Sequence, residues 1–307
     1  MSKTRRNQLS VVINVRNSAE TFGRCLESIK FAQEIIVVDM ESTDNSVEIA
    51  KRYTDKIFCH KNVGYADPAR NFALSKATQP WIFVIDADEE VSSSLKDVII
   101  QLSEQSTDAT GYYFPRKNIV SRKWIEHTGW WPDYQLRLFK NGSVKWAEGV
   151  HRQPDVLGKV VFLPEMETNA ILHHNYQDLS CFIDRLNRYT SLHAQERTSL
   201  SITGSSLEEK ALKKFFDEFI QRYFAYHGYC DGLHGTTLSL AQAFYELSVF
   251  FKQFELKKVE GQENNQLPVK FFRQLNKDLN YWLADYQCGQ TTGMTKFYWK
   301  LRRKLCL

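Results

Sequence analysis

Apolar residues fall in short runs through the first half of the chain: LSVVINV (9–15), EIIVVDM (34–40), the middle of DKIFCH (55–60) and the start of WIFVIDADEE (81–90). Continuous β-branched runs of this length predict strands buried on both faces, as in a parallel sheet. Between them, RNSAETFGRCLESIKFA repeats apolar residues at helical spacing through Phe22, Leu26 and Ile29. STDNSVEIAKRY offers Ser42 or Thr43 as a helix cap, and PARNFALSKA carries a proline in its first turn. Strand, helix, strand, helix with short connections predicts an open α/β sheet with right-handed crossovers, whose ligands sit at the carboxyl ends of the strands. GYYFPRKNIV, a basic turn at SRKW, and YQLRLFKNGSVKW with its KNGS turn predict strands and hairpins added to that sheet.

After residue 178 the period changes. CFIDRLNRYTSLHAQE, LEEKALKKFFDEFIQRYFAY, TTLSLAQAFYELSVFFKQF and VKFFRQLNKDLNYWLADY all repeat at helical spacing, with GQENNQLP as a polar connector. The expected division is therefore an α/β domain over 1–178 and a helical region over 179–307.

The 307 residues are 43% hydrophobic, 25% charged and 13% aromatic, which excludes a disordered chain and suffices for one large core or two modest ones. A formal net charge of +4, with no basic and aromatic track within about the first two hundred residues, gives no reason to expect a nucleic-acid partner. Cys25, Cys59, Cys181, Cys230, Cys288 and Cys306 form no CxxC pair, so neither a zinc knuckle nor a disulfide framework is expected, and a reducing cytoplasm suits them. MSKTRRNQ followed by VVINV lacks the features of a signal peptide, and no apolar stretch reaches the roughly 18 residues of a membrane span. The expectation is a cytoplasmic protein, at most peripheral to a membrane.

Chemistry enters where WIFVIDADEE runs a buried strand into acid. If the strand end stays extended, Asp86 and Asp88 point the same way, and two carboxylates so close require a cation or a shared proton. Mg²⁺ or Mn²⁺ fits, because such ions prefer oxygen ligands and hold a substrate diphosphate as well. A solvated acidic turn before the helix VSSSLKDVIIQL is the plainer alternative. Asp39, ending the second strand, stands where open α/β folds often place an acid on a ribose hydroxyl, or else it caps a helix. His173 and His174 are neighbours on a strand and face opposite ways, so at most one joins any single site.

Four stretches in order, LSVVINVRNSAETFGRCLESI, EIIVVDMESTDNSVEIAKRY, GYADPARNFALSKATQPWIFVIDADEE and WWPDYQLRLFKNG with VKWAEGVH, resemble the family 2 glycosyltransferases. The likeness is nearest to the bacterial branch containing lipopolysaccharide core β-glucosyltransferases; in the helical half it rests on RYFAYHGYCDGLHG. It implies the GT-A fold, a Rossmann-like open mixed sheet flanked by helices, followed by a helical C-terminal region. The implied activity is an inverting, metal-dependent transfer of a sugar, glucose in the nearest relatives. The donor is a nucleotide-diphosphate sugar such as a UDP-sugar, and the acceptor a glycan or lipid-linked saccharide of the cell envelope.

By the same resemblance, Asn14, Arg16, Asn17 and Asp39 hold the nucleoside. Asp67, Arg70 and Asn71 lie along the nucleotide; Arg70 pairs with phosphate or fixes Asp86, and Asp67 serves equally as a helix cap. Asp86 and Asp88 become a DxD pair, with Asp88 the direct ligand of Mg²⁺ or Mn²⁺ and Asp86 supporting the metal or touching ribose. Glu148 and His151 approach the metal or diphosphate, while Glu89 and Glu90 receive no role. Asp133 in WWPDYQLRLF becomes the base that takes the acceptor's proton, and Trp130 and Trp131 stack on the acceptor sugar. One departure stands out: Ser18 occupies a position where the family often has an acid.

Competing classes are weaker. A glycoside hydrolase separates its two carboxyls across a sugar by roughly 5–9.5 Å, and a nicotinamide dehydrogenase needs a GxGxxG that NVRNSAE lacks. A non-catalytic sugar- or nucleotide-binding protein that keeps the fold is the remaining alternative. Finally, KFYWKLRRKLCL mixes five basic residues with aromatics, suited either to an anionic membrane surface on the inner face of the cytoplasmic membrane or to a solvated face of a packed helix.

Overall fold

The computed structural model describes residues 8–62, 67–146, 154–196, 207–257 and 268–306. The four apolar runs become β1 (Leu9–Val15), β2 (Glu34–Asp39), β3 (Ile57–Cys59) and β4 (Trp81–Val84), joined by helices α1 (Ala19–Ser28), α2 (Ser46–Ala50) and α3 (Asp67–Leu74). Every residue of β1 and β2 except Asn14 is buried, as strands flanked on both edges and both faces must be. α1 lays Phe22, Cys25 and Leu26 on the sheet, the face its spacing foretold.

The strands and helix that follow are β5 (Glu89–Glu90), α4 (Ser93–Glu104), β6 (Ala109–Phe114), β7 (Arg116–Val120), β8 (Lys123–Trp124), β9 (Gln135–Lys140), β10 (Val144–Lys145), β11 (Asp155–Val156), β12 (Lys159–Phe162) and β13 (Ile171–Tyr176). The large sheet has the order β12-β6-β9-β4-β1-β2-β3; β3, β2, β1 and β4 are parallel, and β9 runs antiparallel between β4 and β6. This mixed, helix-flanked sheet is the GT-A arrangement. Val15 lies beside Asp39 and Val12 beside Val84, so β1, β2 and β4 deliver their carboxyl ends to one edge.

Not all the later strands join that sheet, as had been expected. Pro115, lacking an N–H, separates β6 from β7, and β7 belongs to a second, four-stranded sheet of order β5-β13-β7-β8. β10 pairs with β11 rather than folding back on β9.

The chain passes from the large sheet to the small one at DADEE. There the Glu89 N–H donates to the Asp86 carbonyl at 3.0 Å, closing a tight turn, and the Asp86 N–H donates back to the Glu89 carboxylate at 3.0 Å. The strand end is therefore not extended, and the premise that aimed Asp86 and Asp88 the same way fails. A four-residue turn satisfies backbone groups that a frayed strand end would leave to water.

Two compact units result: Met1–Trp124 with Trp130–Gln177, and Ile125–Gly129 with Asp178–Leu307. The second comprises α5 (Leu179–Glu196), α6 (Leu207–Ile220), a π-helical turn at Gln221–Ala225, a 3₁₀ turn at Gly228–Asp231, α7 (Gly232–Lys257), α8 (Val269–Gln290) and α9 (Gly293–Leu305). The five-residue excursion Ile125–Gly129 is bonded within this helical unit. Thr128 N–H donates to the Tyr226 carbonyl (3.0 Å), Arg222 Nη1 to the Thr128 carbonyl (2.7 Å) and His127 N–H to buried Asp231 Oδ2 (2.9 Å). The glycines of HGYCDGLHG serve the same place: a Cβ on Gly235 would stand 1.8 Å from the Gly228 carbonyl oxygen. Among the described residues no helix is long and apolar enough to cross a membrane.

Candidate active site

At the carboxyl edge of the large sheet, the loops after β1 and β2 are stitched together. Asn17, held at a left-handed φ of 47°, accepts from Thr43 N–H (2.7 Å) and donates its own N–H to Ser42 Oγ (3.1 Å). Ser42 and Thr43 therefore bridge loops instead of capping α2, whose cap position is Asn45. Buried Asp39 accepts from Ser42 N–H through both oxygens, at 3.2 and 3.3 Å. Beside Ser18, Asp44 accepts from Ala19 N–H at 2.9 Å and so brings a carboxylate to the start of α1. Burial alone would raise the Asp44 carboxyl, but hydrogen bonds from Ser46 and Ala19 hold it below its ordinary value. Arg16 is exposed and Asn14 half-buried beside this edge.

Asp86 is gripped from two sides. Arg70, on α3, reaches Oδ1 at 3.1 Å, and Arg137, on β9, reaches Oδ2 at 2.6 Å. Arg137 is 2% exposed and also meets Glu89 Oε1 at 2.5 Å. Arg116, the first residue of β7, faces the same Glu89 oxygen at 3.3 Å and holds Asp133 Oδ2 with Nη2 at 2.6 Å and Nε at 2.8 Å. Alternating charges thus run without a gap: Arg70, Asp86, Arg137, Glu89, Arg116, Asp133. Each buried charge has an opposite neighbour, the condition under which burial is tolerated. Burial by itself would raise the Asp86 carboxyl, but Arg137, then Arg70 and Arg116, hold it well below the usual carboxylate range.

The small sheet organises the other end. Its ladder sets Glu89 opposite His173 and His173 opposite Asn118, so these side chains share a face with Arg116, two residues before Asn118. Asn118 Nδ2 donates to Asp133 Oδ2 (2.8 Å) and to the Trp130 carbonyl (2.9 Å). Its Oδ1 must then accept, from His173 Nδ1 at 2.6 Å. In the neutral ring this leaves Nε2 as an acceptor, 3.6 Å from Asp88 Oδ2. His174 turns to the other face and meets Glu90 Oε2 at 3.2 Å, so one histidine of the pair joins the site.

Asp133 itself has a φ of 40°, sparsely populated by non-glycine residues, and its surroundings over-determine it. Oδ2 carries the Arg116 and Asn118 donors, whereas Oδ1 takes Gln135 Nε2 at 3.1 Å. Burial pushes this carboxyl up, but Arg116, with hydrogen bonds from Asn118 and Arg116, holds it below its ordinary value.

Residues 10–153 match the sequence profile described as Glycosyl transferase family 2. This segment is a family 2 glycosyltransferase domain. The lipopolysaccharide core biosynthesis glycosyltransferase LpsC of Rhizobium meliloti (strain 1021) is 25% identical over 271 residues, covering 83% of this chain and 95% of LpsC. The uncharacterized glycosyltransferase YibD of Escherichia coli (strain K12) is 27% identical over 260 residues, covering 70% and 74%. Among solved structures, S. aureus TarS 1–349 in complex with UDP covers 80% of this chain and 91% of its own at 15% identity, with a TM-score of 0.40, a likeness that decides nothing about the site.

In the transferase the sequence-derived residues fall into groups. Asn14, Asn17 and Asp39 line the carboxyl edge with Asp86, while Asp88 and Asp133 are linked through His173 and Asn118. Arg70 fixes Asp86 directly and lies over the Trp146 ring. Asn71 is engaged elsewhere, exchanging hydrogen bonds with the Trp146 backbone at 2.9 Å each way. Trp130 packs against Tyr176 and Trp131 edge-on against Trp124, both half-buried. Asp67 begins α3, its side chain outside the described residues, as are Glu148 and His151 altogether. Sequence reasoning missed Glu89, Arg116, Asn118 and Arg137. The available signal was Arg137 itself, a charge between Leu136 and Leu138 in an otherwise apolar strand.

Proposed function

We propose that this transferase moves a hexose from a UDP-sugar to a saccharide or lipid-linked acceptor of the bacterial cell envelope, with inversion at the anomeric carbon. The observation that carries the reading is the polar network Asp88–His173–Asn118–Asp133, which joins a cation-seeking pair to an arginine-anchored carboxylate. Asp133 Oδ1 takes the proton of the acceptor hydroxyl while Arg116 and Asn118 hold Oδ2 still. The hydroxyl attacks opposite the leaving diphosphate, so an α-linked donor gives a β-linked product. Asn17, Arg16, Asn14 and Asp39 bind the nucleoside, and Trp130 and Trp131 present ring surface to the acceptor.

The residues present fit Mg²⁺ or Mn²⁺. Among the described residues no cluster of three or more His, Cys, Asp or Glu could hold a metal. Yet Asp88 offers a carboxylate oxygen, and Mg²⁺ commonly binds through one or two carboxylates plus substrate phosphates; the nearby His173 nitrogen would add a donor for Mn²⁺ alone. Asp86, with both oxygens on arginines, supports from behind and is not a direct ligand. The chemistry such an ion supplies when bound is neutralisation of charge on a departing diphosphate. The likeness to LpsC, a lipopolysaccharide core biosynthesis glycosyltransferase, supports lipopolysaccharide core as the acceptor class.

The test is calorimetric UDP binding with and without Mn²⁺, followed by product analysis with UDP-glucose. Asp88→Asn should lose the Mn²⁺-dependent part of UDP binding. Asp133→Asn should keep UDP binding and lose transfer by about 10²–10⁴-fold, the usual worth of a general base. Metal-independent UDP binding, or transfer surviving in Asp133→Asn, defeats the assignment.

A further inference from the structure

Helix α9 carries a pattern that sugar transfer does not use. Met294, Phe297, Tyr298, Leu301 and Leu305 recur at i, i+3, i+4, i+7 and i+11, one stripe of a helix, and all are between 48% and 83% exposed. No residue of α9 is buried. The other side of the helix turns to α8, where Arg303 Nη1 meets Asp285 Oδ1 at 2.5 Å, and Trp299 is half-buried beneath the Arg302 guanidinium, 5.4 Å from its ring centre. At about 100° per residue, Lys300 and Lys304 border the stripe on one edge and Arg302 on the other. From Gly293 to Leu305 there are five basic residues and no acidic one.

We propose that α9 is a membrane-docking helix that lies in the surface of an anionic lipid bilayer. The stripe sinks to the boundary of headgroups and acyl chains, and the flanking lysines extend along it to reach lipid phosphates. Charge decides the occupant. A second copy of the chain seated stripe to stripe would set the bordering cations of two helices, Lys300, Lys304 and Arg302 on each, against one another, whereas an anionic surface attracts all three. Thirteen residues with this much charge are too few and too polar to span a bilayer. The inference deepens the lipid-linked reading of the acceptor and rests on it for the purpose of the contact; the contact itself is tested without any sugar nucleotide.

The experiment is co-sedimentation of the full chain with vesicles of equal parts phosphatidylcholine and phosphatidylglycerol, beside vesicles of phosphatidylcholine alone. Wild type should bind the anionic vesicles at low salt and not the neutral ones. Lys300→Ala/Lys304→Ala should weaken that binding roughly 30-fold, about five-fold per charge squared over two lysines. Phe297→Ser/Leu301→Ser should abolish it while turning over UDP-sugar with a soluble acceptor at the wild-type rate, which also shows the variant folded. Failure of wild type to bind anionic vesicles, or wild-type binding by Phe297→Ser/Leu301→Ser, overturns the proposal. So does light scattering that finds a dimer dispersed by that variant with no vesicle binding, since a second copy would then cover the stripe. Vesicle binding without UDP-sugar turnover supports the docking helix and defeats the donor reading; turnover without vesicle binding does the reverse.

Discussion

Replacing Glu89 with glutamine is the sharpest perturbation of the charge chain. The carboxylate is wholly buried: Oε1 meets Arg137 at 2.5 Å and Arg116 at 3.3 Å, and Oε2 accepts the Asp86 N–H at 3.0 Å. Glutamine keeps the shape and one acceptor, but removes the charge and sets an amide NH₂ against either a guanidinium or the Asp86 N–H. At an effective dielectric near 20, one unit-charge pair at about 4 Å interacts by about 4 kcal/mol. Desolvation already offsets much of this in the native protein, and removing one partner of a buried pair costs about 3–5 kcal/mol. At about 2–4 °C per kcal/mol for a unit of this size, the melting midpoint of the sheet unit should fall by roughly 6–20 °C. Differential scanning calorimetry reads this, and a double-mutant cycle with Arg137→Met isolates the pair: the double variant should be less destabilised than the sum of the singles. Transfer should fall through kcat with the donor's KM little changed, because Arg116 loses the anchor that orders Asp133. A Glu89→Gln protein that melts within about 1 °C of wild type, well under the effect of a single kcal/mol, would refute the reasoning.

Two further outcomes follow from particular contacts. Asp133 has a folded pKa below its unfolded one, so the stability it contributes is present above the ordinary aspartate value of about 3.9 and is lost as pH falls through the folded value. Arg116→Gln removes the chief lowering charge, so the acidic limb of the pH profile for kcat/KM should move to higher pH; a limb that stays in place assigns the depression elsewhere. Gly235→Ala drives a Cβ to 1.8 Å from a backbone oxygen and should destabilise the helical unit, whereas the same change at an exposed helical site would stabilise it by up to about 1 kcal/mol; thermal melting reads the sign.

The elements were legible where periodicity answers to burial. β1, β2 and β4 appear as unbroken apolar runs because both of their faces are covered, and α1 as a 3.6-residue repeat because one face is. The site was legible only as far as its residues end such runs: Asp39 and Asp86 follow apolar strands, and Asp133 follows an aromatic pair. What pairs with them was not, because pairing is set by which sheet a strand joins. Glu89 and Glu90 look alike in sequence, yet a turn of four residues sends one into the arginines and the other to His174. Arg116 and Asn118 on β7 and His173 on β13 lie far apart in the chain, and only the small sheet aligns them. Nor was the partner of Asn71 legible: its amide exchanges hydrogen bonds with the Trp146 backbone, far along the chain.

The excursion Ile125–Gly129 means that the chain passes between its two units at three points: after Trp124, after Gly129 and after Gln177. A chain cut after Gln177 would still carry these five residues but not Tyr226, Arg222 or Asp231, which satisfy their backbone. The helical half is therefore no detachable appendage, and swapping it between related enzymes requires two grafts rather than one. Asp133 lies four residues beyond that excursion, in the segment by which the chain returns to the sheet unit.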